Sequence, residues 1–151
     1  ESEKSSEEPL FRVDVSNETL FVTTLGKKRV GNPLNLEPSL RMGDELGGHL
    51  VSGHVDAMTR CLERAPDGDS VRFSCKLSPD PTHLIAPKGS VTINGVSLTV
   101  NTVKKDTFDV NIIPHTLEKT TFSEVNPGDE LNLEIDMLAR YVSRHMQIIQ
   151  E

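Results

Sequence analysis

One stretch of this chain is mostly written twice. Residues 11–40 (FRVDVSNETLFVTTLGKKRVGNPLNLEPSL) and 108–137 (FDVNIIPHTLEKTTFSEVNPGDELNLEIDM) align without a gap at an offset of 97, with eleven of thirty positions identical. The identities include Thr19/Thr116, Leu20/Leu117, Thr23/Thr120, Thr24/Thr121, Gly31/Gly128 and Leu34-Asn35-Leu36-Glu37 against Leu131-Asn132-Leu133-Glu134. Solenoid units recur about every 20 to 50 residues, so an offset this long marks a duplicated domain. The second copy has residues 47–107 ahead of it, whereas only ten residues precede Phe11. The first copy is therefore expected to lack its front half, because the chain is part of a longer two-domain protein or because upstream residues stand outside the numbering.

Bulk properties narrow the function. A chain of 151 residues can bury one good core, so one complete copy plus a remnant is a reasonable size. Sixteen basic against 23 acidic residues give a net charge of −7, and no basic cluster is present to follow a phosphate backbone. Nucleic acid is therefore not an expected partner. Cys61 and Cys75 have neither zinc-site spacing nor the numbers for a disulfide framework. A reducing cytoplasm is the simpler expectation. No apolar run approaches the roughly 20 residues of a membrane span, so no membrane is expected either.

Residues 1–9 are acidic and Ser-rich, which predicts a mobile loop or frayed end. Phe11, Val13 and Val15 alternate with polar residues, the period of a half-buried strand, and residues 20–24 and 34–37 are further expected strands. Short strands at this spacing imply a barrel or sandwich. Where the copies join runs Gly47-Gly48-His49-Leu50-Val51-Ser52-Gly53-His54. A regular strand would put His49 and His54 on opposite faces, so a shared metal is not expected. Each is more often a packed or surface histidine than a catalyst.

Residues 57–64, 71–77 and 84–87 continue the series of segments, split by turns at Pro66-Asp67-Gly68-Asp69 and Ser78-Pro79-Asp80-Pro81, with a short helix expected within 78–86. Residues 88–100 read as two strands joined near Asn94-Gly95, a favoured tight-turn pair. Val96, Leu98 and Val100 then share one face, while Ser97 and Thr99 share the other, about 7 Å apart. Such hydroxyls usually face water; the functional alternative is a pair of donor/acceptors in a ligand pocket. Lys88 is similarly either solvated or placed to hold an anionic ring or polarise a carbonyl. In residues 137–150 the apolar positions recur at helical steps. An amphipathic helix is expected, folded back on its barrel or associated with copies of itself.

With these motifs in place the chain resembles the riboflavin synthases, homotrimeric enzymes whose subunit is two similar β-barrels followed by a helix. The resemblance runs from Phe11 to about Tyr141. It is carried by Gly47-Gly48-His49-Leu50-Val51-Ser52-Gly53-His54, by Lys88-Gly89-Ser90-Val91-Thr92-Ile93-Asn94-Gly95-Val96-Ser97-Leu98-Thr99-Val100, and by Ile113-Pro114-His115-Thr116-Leu117-Glu118-Lys119-Thr120-Thr121. It implies an all-β fold of duplicated Greek-key-like closed β-barrels, one complete and one partial, with a C-terminal α-helix. The implied divisions are residues 1–46 (the end of the first lumazine-binding barrel), 47–136 (the complete second barrel) and 137–151 (an oligomerisation helix).

The implied reaction is the dismutation of two molecules of 6,7-dimethyl-8-ribityllumazine. One gives four carbons to the other, forming riboflavin and 5-amino-6-ribitylamino-pyrimidinedione, with no cofactor and no metal. Such chemistry asks for two stacked rings, a base near an acidified methyl and a nucleophile at the neighbouring ring carbon, so positioning should supply most of the acceleration. By resemblance His54 transfers the proton, Ser97 and Thr99 are hydroxyls beside the lumazine with Ser97 or an activated water as nucleophile, and Asp136 is the functional aspartate. Lys88, Gly95, Ile113 and Thr116 are ligand contacts in the complete barrel, with Ser16 and Thr19 in the partial one. A homotrimer completing its sites between subunits and an association with lumazine synthase are also implied. His115, where the first copy has Glu18, alters local charge only. The alternative is a non-catalytic lumazine or flavin carrier on the same duplicated barrel, like the lumazine proteins of light-emitting bacteria.

Overall fold

Six antiparallel strands close into a barrel, and the repeat explains only part of how they do so. A computed structural model describes residues 10–77 and 82–150. The strands are β1 (Ala57–Asp67), β2 (Ser70–Lys76), β3 (Ser90–Ile93), β4 (Val96–Val103), β5 (Thr107–Ile112) and β6 (Glu130–Ile135). Around the barrel they run β1-β2-β5-β4-β3-β6, so the β2–β3 and β5–β6 connections each pass over two strands, as in a Greek key. Closure pairs every strand on both sides and leaves no ladder edge open.

Alternation along the strands fills the interior. Phe108, Val110 and Ile112 of β5, Leu131, Leu133 and Ile135 of β6, and Val91 and Ile93 of β3 point inward and are buried with Phe73, Cys61 and Cys75. Phe122 closes one end against Phe73, edge to face with ring centroids 5.4 Å apart. The β3–β4 hairpin pairs Ile93 with Val96 around Asn94 (φ 50°) and Gly95 (φ 80°), as expected of an Asn-Gly turn with positive φ at both positions. The Pro66–Asp69 turn is also present, though β1 runs on through Asp67 to a two-residue connection at Gly68-Asp69.

Several expected strands are corrected. Residues 20–24 lie in helix α1 (Asn17–Val22) and a following 3-10 turn (Thr24–Lys27). Ser16 accepts the Thr19 N–H at 3.1 Å and so caps α1, while Thr23 Oγ1 donates to the Thr19 carbonyl at 2.6 Å; these local bonds outweigh the β propensity of the threonines. Residues 11–15 and 34–37 form no strand either; what ties residues 34–37 to the barrel is the Asn35 side chain, not a backbone ladder. Residues 84–87 also form none: Leu84 ends a 3-10 turn (Thr82–Leu84), Ile85 packs into the core, and Pro87 has no N–H for a ladder. The expectations for residues 1–9 and for the turn at 78–81 lie outside the described residues.

The same elements recur 97 positions on. Helix α2 (Pro114–Lys119) and a 3-10 turn (Thr121–Ser123) follow β5. Thr120 Oγ1 donates to the Thr116 carbonyl at 2.6 Å, as Thr23 does to Thr19. The chain ends in helix α3 (Met137–Gln150), as expected. No helix of the described residues is long and apolar enough to cross a membrane.

Candidate functional site

Residues 47–56 form a strap across the outer face of β3, β4 and β6 and gather polar side chains there. With Val91, Ile93, Leu98 and Val100 turned into the barrel, Thr92, Ser97 and Thr99 must turn outward. The strap is no strand, so the alternation expected for its two histidines does not apply. His49 Nδ1 lies 2.7 Å from Ser97 Oγ, His49 Nε2 lies 3.1 Å from Thr92 Oγ1, and the His49 N–H donates to Ser97 Oγ at 3.2 Å. One imidazole thus joins two strands and orients the Ser97 hydroxyl.

The strap lies this close because Gly48 has no side chain. A Cβ at position 48 would stand 2.3 Å from Ser97 Oγ. Farther along, the Glu134 carboxylate accepts the Ser52 N–H at 2.8 Å, the Ser52 hydroxyl at 2.8 Å and the Gly53 N–H at 3.1 Å. Glu134 is only 5% exposed, so these donors satisfy a carboxylate that water barely reaches. The strap ends at Asp56, which accepts the Ile135 N–H at 2.8 Å and pairs with Arg140 of α3 at 2.9 Å.

The expected site residues are only partly gathered. Ser97 belongs to the His49 cluster. Thr99 is exposed on the same face of β4, two residues on. His54 is exposed and makes no hydrogen bond among the described residues. Asp136 caps α3, accepting the Leu138 N–H at 2.9 Å. Lys88 is exposed and holds φ at 66°, a left-handed backbone that costs a lysine about 1 kcal/mol and is fixed by its N–H donating to the Val100 carbonyl at 2.8 Å. Gly95 sits at the hairpin tip. Ile113 and Thr116 lie at the start of α2; Ser16 and Thr19 occupy the same places on α1, with hydroxyls 2.9 Å apart.

A cavity of about 360 Å³ contains none of these residues and lies between α1's following turn and the barrel end. Sequence reasoning did not single out Thr92, Glu134 or His49, and chose His54 by resemblance. Glu134 carried a signal: a carboxylate between Leu133 and Ile135 on a strand needs a partner on the outer face. Burial in the core, beside Cys61 and Asp109, pushes the Cys75 thiol up to about 12, and burial raises Cys61 as well, so neither thiol is activated.

Comparison with known proteins agrees with this architecture. The family model of the lumazine binding domain matches residues 52–136. The riboflavin synthase of Brucella abortus (strain 2308) is 48% identical over 145 residues, 96% of this chain and 72% of that protein. Those of Photobacterium phosphoreum (40% identical, 89% of this chain and 62% of that protein) and Bacillus subtilis strain 168 (37% identical, 93% and 66%) are also similar. The chain thus spans between 62% and 72% of the length of these three relatives. Among solved structures, LumP complexed with riboflavin matches with a TM-score of 0.72 at 23% identity, covering 78% of this chain and 64% of that one. LumP complexed with 6,7-dimethyl-8-(1'-D-ribityl) lumazine matches with a TM-score of 0.67 at 22% identity, covering 76% and 60%, so both speak to the fold. By the domain matched and the identity with the Brucella protein, this chain belongs to the riboflavin synthase family.

Proposed function

We propose that this chain takes part in the riboflavin synthase reaction, binding 6,7-dimethyl-8-ribityllumazine on the outer face of β3, β4 and β6 and transferring four carbons from one lumazine to another. The observation that carries the reading is the Ser97 hydroxyl, held by His49 on the face that also bears Thr99. Two identical substrates give riboflavin and 5-amino-6-ribitylamino-pyrimidinedione, so donor and acceptor balance without an external oxidant, cofactor or metal.

In this reading Ser97, or a water it orients, adds to the ring carbon; Thr99 and Lys88 contact the lumazine; and His54 moves the methyl proton. Gly95, Ile113 and Thr116 line the ligand, and Asp136 both caps α3 and acts at the site. Residues 11–40 are the end of a first barrel of the same kind, whose Ser16 and Thr19 stand where Ile113 and Thr116 stand in the second. The exposed Leu138, Tyr141, Val142, Ile148 and Ile149 of α3 meet copies of the chain in a homotrimer, which associates with lumazine synthase in the cytoplasm.

The test is to mix the protein with the lumazine and follow riboflavin absorbance. Turnover that falls on His54→Ala and on Ser97→Ala with folding retained supports the assignment. Lumazine binding without a flavin band at any protein concentration supports the carrier reading and overturns catalysis.

A further inference from the structure

The two copies meet in a reciprocal contact. Asn132 Oδ1 accepts the Thr24 N–H at 2.7 Å, and Asn35 Oδ1 accepts the Thr121 N–H at 2.8 Å. Asn132 is the counterpart of Asn35, and Thr121 that of Thr24, each 97 positions on. Residue i meets j while j meets i, the mark of an approximate two-fold axis. Asn94 joins both halves: it accepts the Asn132 N–H at 2.8 Å through Oδ1, and its carbonyl accepts Asn35 Nδ2 at 2.8 Å. The 360 Å³ cavity lies here, lined by counterparts from each side: Thr24 and Thr121, Lys27 and Glu124, Lys28 and Val125, Asn32 and Asp129, Pro33 and Glu130.

The backbone contacts are symmetric, but the charges are not. The first copy contributes Lys27 and Lys28 to the cavity wall, while the barrel contributes Glu124, Asp129 and Glu130. Lys27 pairs with Glu130, which Arg60 also reaches at 3.3 Å. A second barrel seated in place of residues 17–37 would remake both asparagine bonds, with Asn132 of each copy on Thr121 of the other. It would also bring Glu124 of each copy, in the place of Lys27, against Glu130 of the other.

We propose that this surface is keyed by charge, accepting the unlike repeat with its lysines and rejecting a second copy of the barrel. The inference does not rest on the reaction, since it uses none of the residues proposed to contact or transform the lumazine. Like charges facing each other oppose association, and complementary ones fix the partner.

Amide hydrogen exchange at Thr24 and Thr121 in the full chain tests it, because these two N–H groups are the ones the asparagines hold. Lys27→Glu is expected to speed exchange about three- to tenfold at both amides, the effect of one lost exposed pair plus a new repulsion. Adding Glu130→Lys should return both to within about twofold of the parent. In Lys27→Glu with Glu124→Lys, position 124 of one copy faces Glu130 of another. There Thr24 should exchange fast, while Thr121 gains protection as protein concentration rises. Unchanged exchange in Lys27→Glu, no recovery in the charge-swapped pair, or concentration-independent Thr121 exchange in the last variant would each overturn the proposal.

Discussion

Glu134→Gln is expected to loosen the strap that carries His49 while leaving the barrel intact. The carboxylate accepts three hydrogen bonds, two from Ser52 and one from Gly53. A glutamine keeps one oxygen, which retains the Ser52 bonds in neutral form at about half their strength. Its NH2 then faces the Gly53 N–H, donor to donor, and that bond is lost. Bonds to charged groups contribute about 1.5–3 kcal/mol and neutral ones about 0.5–1.5 kcal/mol. Ser52 and Gly53 are exposed and regain water when released, so the expected loss is at the low end, about 2 kcal/mol. With a urea slope of about 1–3 kcal/mol/M the unfolding midpoint should fall by about 1 M. Exchange should accelerate at the Ser52 and Gly53 amides, and at Val110 in β5, buried in the barrel, only by as much as the whole fold is destabilised. A midpoint within about 0.2 M of the parent, with those two amides unaffected, would refute the reasoning.

Gly48→Ala should lift the strap off Ser97, since its Cβ would meet Ser97 Cβ at 2.8 Å as well as the hydroxyl. If the site works as proposed, lumazine turnover falls about ten- to hundredfold, and Ser97→Gly in the same chain restores the strap by NMR but not the turnover. Phe122→Ala removes a fully buried ring packed on Phe73 and should cost about 3–5 kcal/mol in chemical denaturation. Raising the pH should destabilise the fold through Cys75, whose thiol stands near 12 when folded against an ordinary 9.0. Between those values the unfolded chain has released a proton that the folded chain still binds. Stability therefore drops by about 1.4 kcal/mol per pH unit from this group, and Cys75→Ala should flatten that limb in midpoints measured from pH 8 to 11.

The hairpin at Asn94-Gly95 was legible because two adjacent positive φ angles are a local demand that few residue pairs meet. The helix from Met137 was legible for a similar reason, its apolar residues recurring at one period over fourteen positions. Leu20 to Thr24 misled. Its β-branched residues read as strand, while hydroxyl caps at Ser16 and Thr23 turned it into helix, and the Thr23 cap recurs at Thr120 in the second copy. His54 was singled out by resemblance and His49 was not. The difference between them is a contact with Ser97, 48 positions away in the chain.

Period and repetition along the chain therefore determined that there would be short strands, a turn at Asn94-Gly95, a terminal helix and two related segments, because each depends on neighbours a few residues apart or on direct comparison of residues. Ring order, the strap laid over β3, β4 and β6, and the crossed bonds of Asn35 and Asn132 were decided only by the tertiary structure. Those features hang on which groups remain unsatisfied once the barrel has closed: the Glu134 carboxylate, the Ser97 hydroxyl and the N–H groups of Thr24 and Thr121 each find a partner far away in sequence.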